Sequence, residues 1–234
     1  MLNSEDTIFE SPETIPSLSA SEAENVPRDL WFWLALGISV VLHPLLQPTL
    51  LFSLMFFGVD GLMPISFELK QQLLFLIFLF TFGVPMLGIY LLYLVGYVRN
   101  LQMHDRSDRI LPMMLTSGIY LGITWLFQQN MRNGTALIVL MAAITVALLC
   151  ATVISLFWKI SAHAIGGGGM LGSLLALAYL FPQSQLLYPT AAVSLAVGAL
   201  LTARLHLNAH TPAQIWAGAT LGGVVGFVTI FVFL

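Results

Sequence analysis

Long apolar runs separated by short polar breaks make up the chain after residue 30. Seven of these runs are close to the roughly 20 residues that a helix needs to cross a bilayer. They cover residues 31–57, 71–98, 113–129, 134–158, 163–182, 187–205 and 211–234. The pattern predicts an all-α polytopic membrane helix bundle with about six to seven transmembrane helices.

The breaks and the prolines refine this prediction. Asn133-Gly134 is a turn dipeptide, and a short loop containing Pro182 follows the fifth run. Pro44 and Pro48 lie inside the first run and Pro85 inside the second. Because proline cannot donate a backbone hydrogen bond, these helices are predicted to be kinked at those positions.

Composition separates an N-terminal tail from the membrane domain. The chain is 58% hydrophobic and 8% charged, whereas a soluble domain carries about 25% charged residues. Residues 1–29 hold seven of the eleven acidic residues. They are also rich in Ser and Pro, which predicts a disordered acidic tail. Residues 30–234 are predicted to form a single transmembrane domain, and no acidic residue follows Asp108.

Polar residues capable of chemistry gather on one predicted side of the membrane. If each run crosses once, the tail, residues 99–112, residues 159–163 and residues 204–210 share that side. Ionisable residues at membrane depth are rare and typically mark a functional site. The candidates on this side are Arg99, His104, Asp105, Arg106, Asp108, Arg109, Lys159, Ser161, His163, Arg204, His206, Asn208 and His210.

Two short motifs on that side carry a family resemblance. One is Ser161-Ala162-His163, and the other is Arg204, five residues, His210, three residues and Gln214. Their order and spacing resemble the second and third motifs of the type 2 phosphatidic acid phosphatase superfamily, which is related to vanadium haloperoxidases. The chain departs from the family in having Gln214 in place of an aspartate. It also lacks the first motif, Lys-x6-Arg-Pro.

The resemblance implies an integral membrane phosphatase or phosphotransferase that works through a phosphohistidine on a lipid phosphate or pyrophosphate. It implies that His210 attacks phosphorus, that His163 protonates the leaving oxygen, and that no metal or cofactor takes part. Histidine chemistry near neutral pH suits both roles. Gln214 takes the place of the acid that orients the nucleophile, and its amide oxygen could accept the ring proton of His210.

Phosphate binding is predicted for Arg204, Ser161, Arg106 and Arg109. Arginine binds phosphate oxygens through a planar fork of donors. Ser161 is expected to donate to phosphate or to cap a helix that begins near His163. The run Gly166–Gly169 either allows close backbone approach to the ligand or forms a helix-packing face.

Other functions are compatible with the same residues. His206 and His210, four residues apart, would share a helical face and could bind zinc together with His163. The departures from the family at Gln214 and in the first motif also allow a catalytically degenerate protein that binds lipid headgroups or acts as a scaffold. A small transporter with a broken helix at residues 160–170 is a further alternative. His43 is interpreted as a packed or helix-interface residue.

Orientation rests on few charges. The motif side carries six basic residues and the other side two, Lys70 and Arg132. The positive-inside rule then places the motif side in the cytoplasm. Without the three predicted phosphate-binding arginines, the count is three against two. The expected setting is a multi-pass protein of a bacterial inner membrane, with membrane lipids as partners and no nucleic acid.

Overall fold

A computed structural model describes residues 28–58, 65–99, 107–131 and 134–234. Within these ranges the regular structure is helical and contains no strand. The predicted disordered tail lies almost entirely outside the described residues, as do His104, Asp105 and Arg106.

Nine α-helical segments form the described part of the chain. We number them α1 Leu30–Val41, α2 Gln47–Phe57, α3 Phe67–Phe78, α4 Val84–Leu94, α5 Ser107–Asn130, α6 Thr135–Ser155, α7 Ala162–Leu180, α8 Leu187–His206 and α9 Pro212–Phe233, with the pair α3–α4 continuous through a π-helical turn at Leu79–Gly83. The described helices therefore number eight if α3–α4 is counted as one. Six of these are long and apolar enough to cross a membrane, so the chain is an all-α, multi-pass membrane protein.

The first predicted crossing is the main difference from the sequence prediction. The structure divides residues 31–57 into α1 and α2, and each is shorter than a crossing helix. The break includes Pro44, which has no backbone N–H to donate and disfavours helical backbone at His43. Pro48 instead lies in the first turn of α2, where a missing N–H costs no helical hydrogen bond. Pro85 follows the π-helical turn inside the continuous pair α3–α4, and the carbonyl of Thr81, four residues earlier, accepts from the hydroxyl of Tyr120 at 3.0 Å.

Helices α7 and α9 make the closest contact in the bundle. The backbone of Ala219 and Gly223 in α9 occupies the space that side chains would need at Gly168 and Gly172 in α7. Gly222 faces the carbonyl of Ile165 in the same way. The glycines at these contacts thus form a helix-packing face, which was one of the two interpretations of the glycine run.

The short connectors place several helix ends together. Residues 156–161 join α6 to α7, and residues 207–211 join α8 to α9. A side chain at Gly218, near the start of α9, would begin 2.9 Å from the carbonyl oxygen of Ser161, so these two connectors lie at the same end of the bundle. The candidate site is built from this end.

Candidate functional site at one end of the bundle

Ser161 begins helix α7 and is fully buried. It is the N-cap residue, and its side-chain oxygen accepts a hydrogen bond from the backbone N–H of Ala164 at 3.4 Å. The capping role predicted for Ser161 is therefore present. His163 follows in the first turn of the helix, as expected for a helix that begins near this residue.

A backbone carbonyl of the broken segment, residues 31–57, which the structure divides into α1 and α2, contacts the ring of His163. Its Nε2 lies 3.2 Å from the carbonyl oxygen of Ser39 in α1. A carbonyl oxygen can only accept, so Nε2 carries the proton and Nδ1 is the unprotonated nitrogen of the neutral ring. The ring of His43 lies edge-on to it, with ring centroids 5.7 Å apart.

His210 is buried in the turn between α8 and α9. Its Nδ1 lies 3.0 Å from Oε1 of Gln214. The same oxygen accepts from the backbone N–H of Thr211 at 3.2 Å, as part of a capping box at the start of α9. Since the Thr211 N–H can only donate, the atom facing both groups is the amide oxygen. His210 must then carry its proton on Nδ1, which leaves the lone pair on Nε2.

Burial strongly lowers the pKa of His210, from 6.5 to about 3. The nearby positive charges of Arg109 and Arg204 lower it further, and the hydrogen bond to Gln214 opposes them. The ring is therefore neutral at pH 7, and its Nε2 lone pair is available to an electrophile or to a proton.

Positive side chains from three different helix ends surround this histidine. Arg109, Arg204 and Lys159 all lie within electrostatic range of His210. Arg204 interacts in the same way with His163. The Nε of Arg204 is buried and has no hydrogen-bond partner in the described structure. Of the predicted phosphate-binding residues, Ser161, Arg109 and Arg204 are placed at this end, and Arg106 lies outside the described residues.

The prediction that His206 and His210 share a helical face is wrong. Helix α8 ends at His206 and α9 begins at Pro212, so His210 belongs to neither helix. The intervening turn includes Asn208 with a left-handed φ of 48°. His206 is exposed, and Gln214 reaches His210 through the capping box. In the described residues no three His, Cys, Asp or Glu side chains are grouped to hold a metal ion.

An apolar cavity of about 90 Å³ adjoins the site. Pro44 and Ala162, the sequence neighbours of His43 and His163, line it. It continues between α2, α6 and α7 as far as Leu148 and Met170. The polar end of the bundle thus borders an apolar space at membrane depth.

The broken segment contributes residues that the sequence interpretation did not place in the site. Ser39, His43 and Gln47 follow one another at intervals of four residues in an otherwise apolar run. His43 does pack at a helix interface, as expected, but its neighbour there is His163. The periodic polar positions were the signal that could have indicated a common direction.

Comparisons with models of protein families, with curated proteins and with solved structures give no match to this chain.

Proposed function

We propose that the protein is a membrane phosphatase or phosphotransferase that acts on a lipid phosphate or pyrophosphate through a phosphohistidine. The observation that carries this proposal is the state of His210. Its Nδ1 proton is held by Gln214, and the lone pair on Nε2 is left beside several positive side chains. An unprotonated nitrogen in a cationic pocket matches the needs of nucleophilic attack on phosphorus.

In the proposed first step, Nε2 of His210 attacks phosphorus and the bond to the leaving oxygen breaks. Arg204 and Arg109 stabilise the negative charge on the equatorial oxygens. The leaving oxygen takes a proton from His163. Because a neutral imidazole is too weak an acid for this step, His163 must first take up a proton on Nδ1 and donate it from there, while its Nε2–H stays on the carbonyl of Ser39.

In the second step, water attacks the phosphohistidine and releases phosphate, and an alcohol in place of water gives the phosphotransferase reaction. Gln214 accepts the Nδ1–H bond of His210 throughout and fixes the ring orientation, as an amide side chain does in Cys-His-Asn proteases. The adjoining apolar cavity supports an amphiphilic substrate, because its hydrocarbon part can remain at membrane depth while the phosphate reaches the cations.

Phosphate release tests the proposal. The purified protein is assayed with phosphatidic acid, phosphatidylglycerol phosphate and a polyprenyl pyrophosphate, each with EDTA present. We expect release that survives EDTA and is lost in His210→Ala, while His206→Ala, at an exposed position, keeps it. Acid-labile, base-stable labelling of the wild type with substrate phosphorus would identify the phosphohistidine.

Two results would contradict the proposal. Release abolished by EDTA rules out the metal-independent mechanism. Binding of phosphate lipids without release from any of the three substrates favours the degenerate headgroup-binding protein.

A further inference from the structure

Residues on both sides of the break between α1 and α2 contact His163. The carbonyl of Ser39 accepts from the ring at 3.2 Å. Gln47 donates through its Nε2 to the carbonyl of His163 at 3.3 Å and to that of Leu42 at 2.9 Å. A side chain at Gly166 would collide with the amide of Gln47. The break and the start of α7 are therefore fixed to each other around His163.

His43 lies in the break itself, and a backbone hydrogen bond defines its tautomer. The backbone N–H of Leu45 donates to its Nδ1 at 3.3 Å. Nδ1 is thus an acceptor, and the neutral ring carries its proton on Nε2. Across the residues that the structure describes, no acceptor takes this Nε2–H group. The ring is held in place by Leu45 and by the edge-on contacts with His163 and Phe82.

Arg204 supplies a second donor, and this one is buried. It lies within electrostatic range of both His43 and His163. Its Nε is buried without an acceptor among the described residues. A buried donor left without an acceptor costs about 1–3 kcal/mol. The buried Nε–H of Arg204 therefore calls for an anionic oxygen. The Nε2–H of His43 is not among the buried donors without a partner, so it remains open to the same ligand.

We propose that His43 is a further ligand-binding residue of this site, whose Nε2–H donates to an oxygen of a bound phosphate group next to the Nε–H of Arg204. Ser39 and Gln47 act as positioning residues for His163. The identity of the ligand as a phosphate rests on the proposed function, whereas the binding itself does not depend on turnover.

The test uses full-length protein with ¹⁵N-labelled histidine in detergent micelles, titrated with inorganic phosphate and, separately, with phosphatidic acid. The chemical shift of the His210 ring nitrogens reports binding in each variant. His43→Phe keeps a ring but removes the donor, and His43→Gln keeps an N–H donor near the position of Nε2. His206→Phe is the matched control at an exposed histidine.

We expect His43→Phe to weaken binding about tenfold or more, as the loss of a hydrogen bond to a charged group predicts. His43→Gln should remain within about threefold of wild type, since its donor is retained. In the wild type, the Nε2–H signal of His43 should itself shift on ligand addition. That measurement holds even where a variant does not fold.

Unchanged affinity in His43→Phe, or a His43 signal that does not move when the ligand binds, overturns the proposal. So does a wild-type protein that binds neither phosphate nor phosphatidic acid. Binding of phosphatidic acid alone identifies the ligand as the lipid headgroup and supports the proposal. Binding that depends on His43 without phosphate release contradicts only the proposed function.

Discussion

The two central histidines are held in opposite ways. His210 is oriented locally, by Gln214 four residues further on and within the cap of the helix that follows. His163 is oriented by Ser39, 124 residues earlier in the chain. The local contact between His210 and Gln214 needs only the start of helix α9. The long-range contact between His163 and Ser39 requires the region of the break between α1 and α2 to pack against the start of α7.

The contact between α7 and α9 determines how the two histidines lie relative to each other. His163 lies in the first turn of α7 and His210 lies directly before α9. The glycines along this contact let the two backbones approach closely. This packing can be tested by mutation separately from the hydrogen bonds that orient each histidine ring.

The largest effect is expected from Gly168→Val, which removes the common platform of both histidines. The new side chain would collide with the backbone of Ala219, which cannot rotate away. Overpacking typically costs about 1–3 kcal/mol, and we expect a value at or above the top of this range. The measurements are the thermal unfolding midpoint in detergent and phosphate release.

Gly198→Val in α8 is the matched control, because no atom lies within 4 Å of the position where its side chain would begin. Equal stability of the two variants would contradict the proposed packing role of Gly168.

Gln214→Leu tests the local contact that orients His210. The substitution removes the acceptor of the Nδ1 proton of His210 and one half of the capping box. Loss of the group that sets a catalytic histidine tautomer costs about 10⁴-fold in a serine protease. We expect kcat to fall about 10³–10⁴-fold, with a loss of about 1 kcal/mol in stability from the cap. Steady-state phosphate release and thermal unfolding measure the two effects.

Gln214→Glu keeps an acceptor at the same position and should retain most of the activity. If Gln214→Leu is as active as Gln214→Glu, the orienting role assigned to Gln214 is wrong.

Gln47→Leu tests the long-range contacts that position His163. The variant loses the hydrogen bonds to the carbonyls of Leu42 and His163, but Ser39 still contacts the ring. We expect kcat to fall about tenfold with KM nearly unchanged, because small displacements of a catalytic group cost less than its loss. Gln71→Leu, at an exposed position of α3, is the control and should match wild type. A larger loss of kcat than in Gln214→Leu would show that the long-range contacts of His163 matter more for activity than the local contact of His210.

The last prediction concerns pH and is measured through stability alone. The pKa of His210 lies at about 3 in the folded protein and near 6.5 in the unfolded chain. Below about pH 6.5 the unfolded state takes up a proton that the folded state does not. Stability is therefore lost as the pH falls toward 3, by about 1.4 kcal/mol per pH unit well below 6.5.

Thermal unfolding midpoints between pH 7.5 and 4.5 should fall more steeply for wild type than for His210→Asn. Parallel curves would show that His210 takes up a proton in the folded state as readily as in the unfolded chain.

Much of the site could be read from the chain because its signals are local. Ser161 caps α7, and Gln214 accepts from His210, as the residue types indicated. The sequence did not indicate that a turn at Asn208 separates His206 from α9. Helical spacing rules apply only within a continuous helix, so the shared face expected of His206 and His210 does not exist.

The sequence by itself determined that the described chain is a bundle of membrane helices, because runs of apolar residues near the bilayer thickness leave few other structures. It also identified the two motifs. Only the tertiary structure decided that the first run is broken, that its break surrounds His163, and that glycines join α7 to α9. The contacts of the first run with His163 join residues more than one hundred positions apart. Hydrophobic periodicity carries no information about which helix meets which.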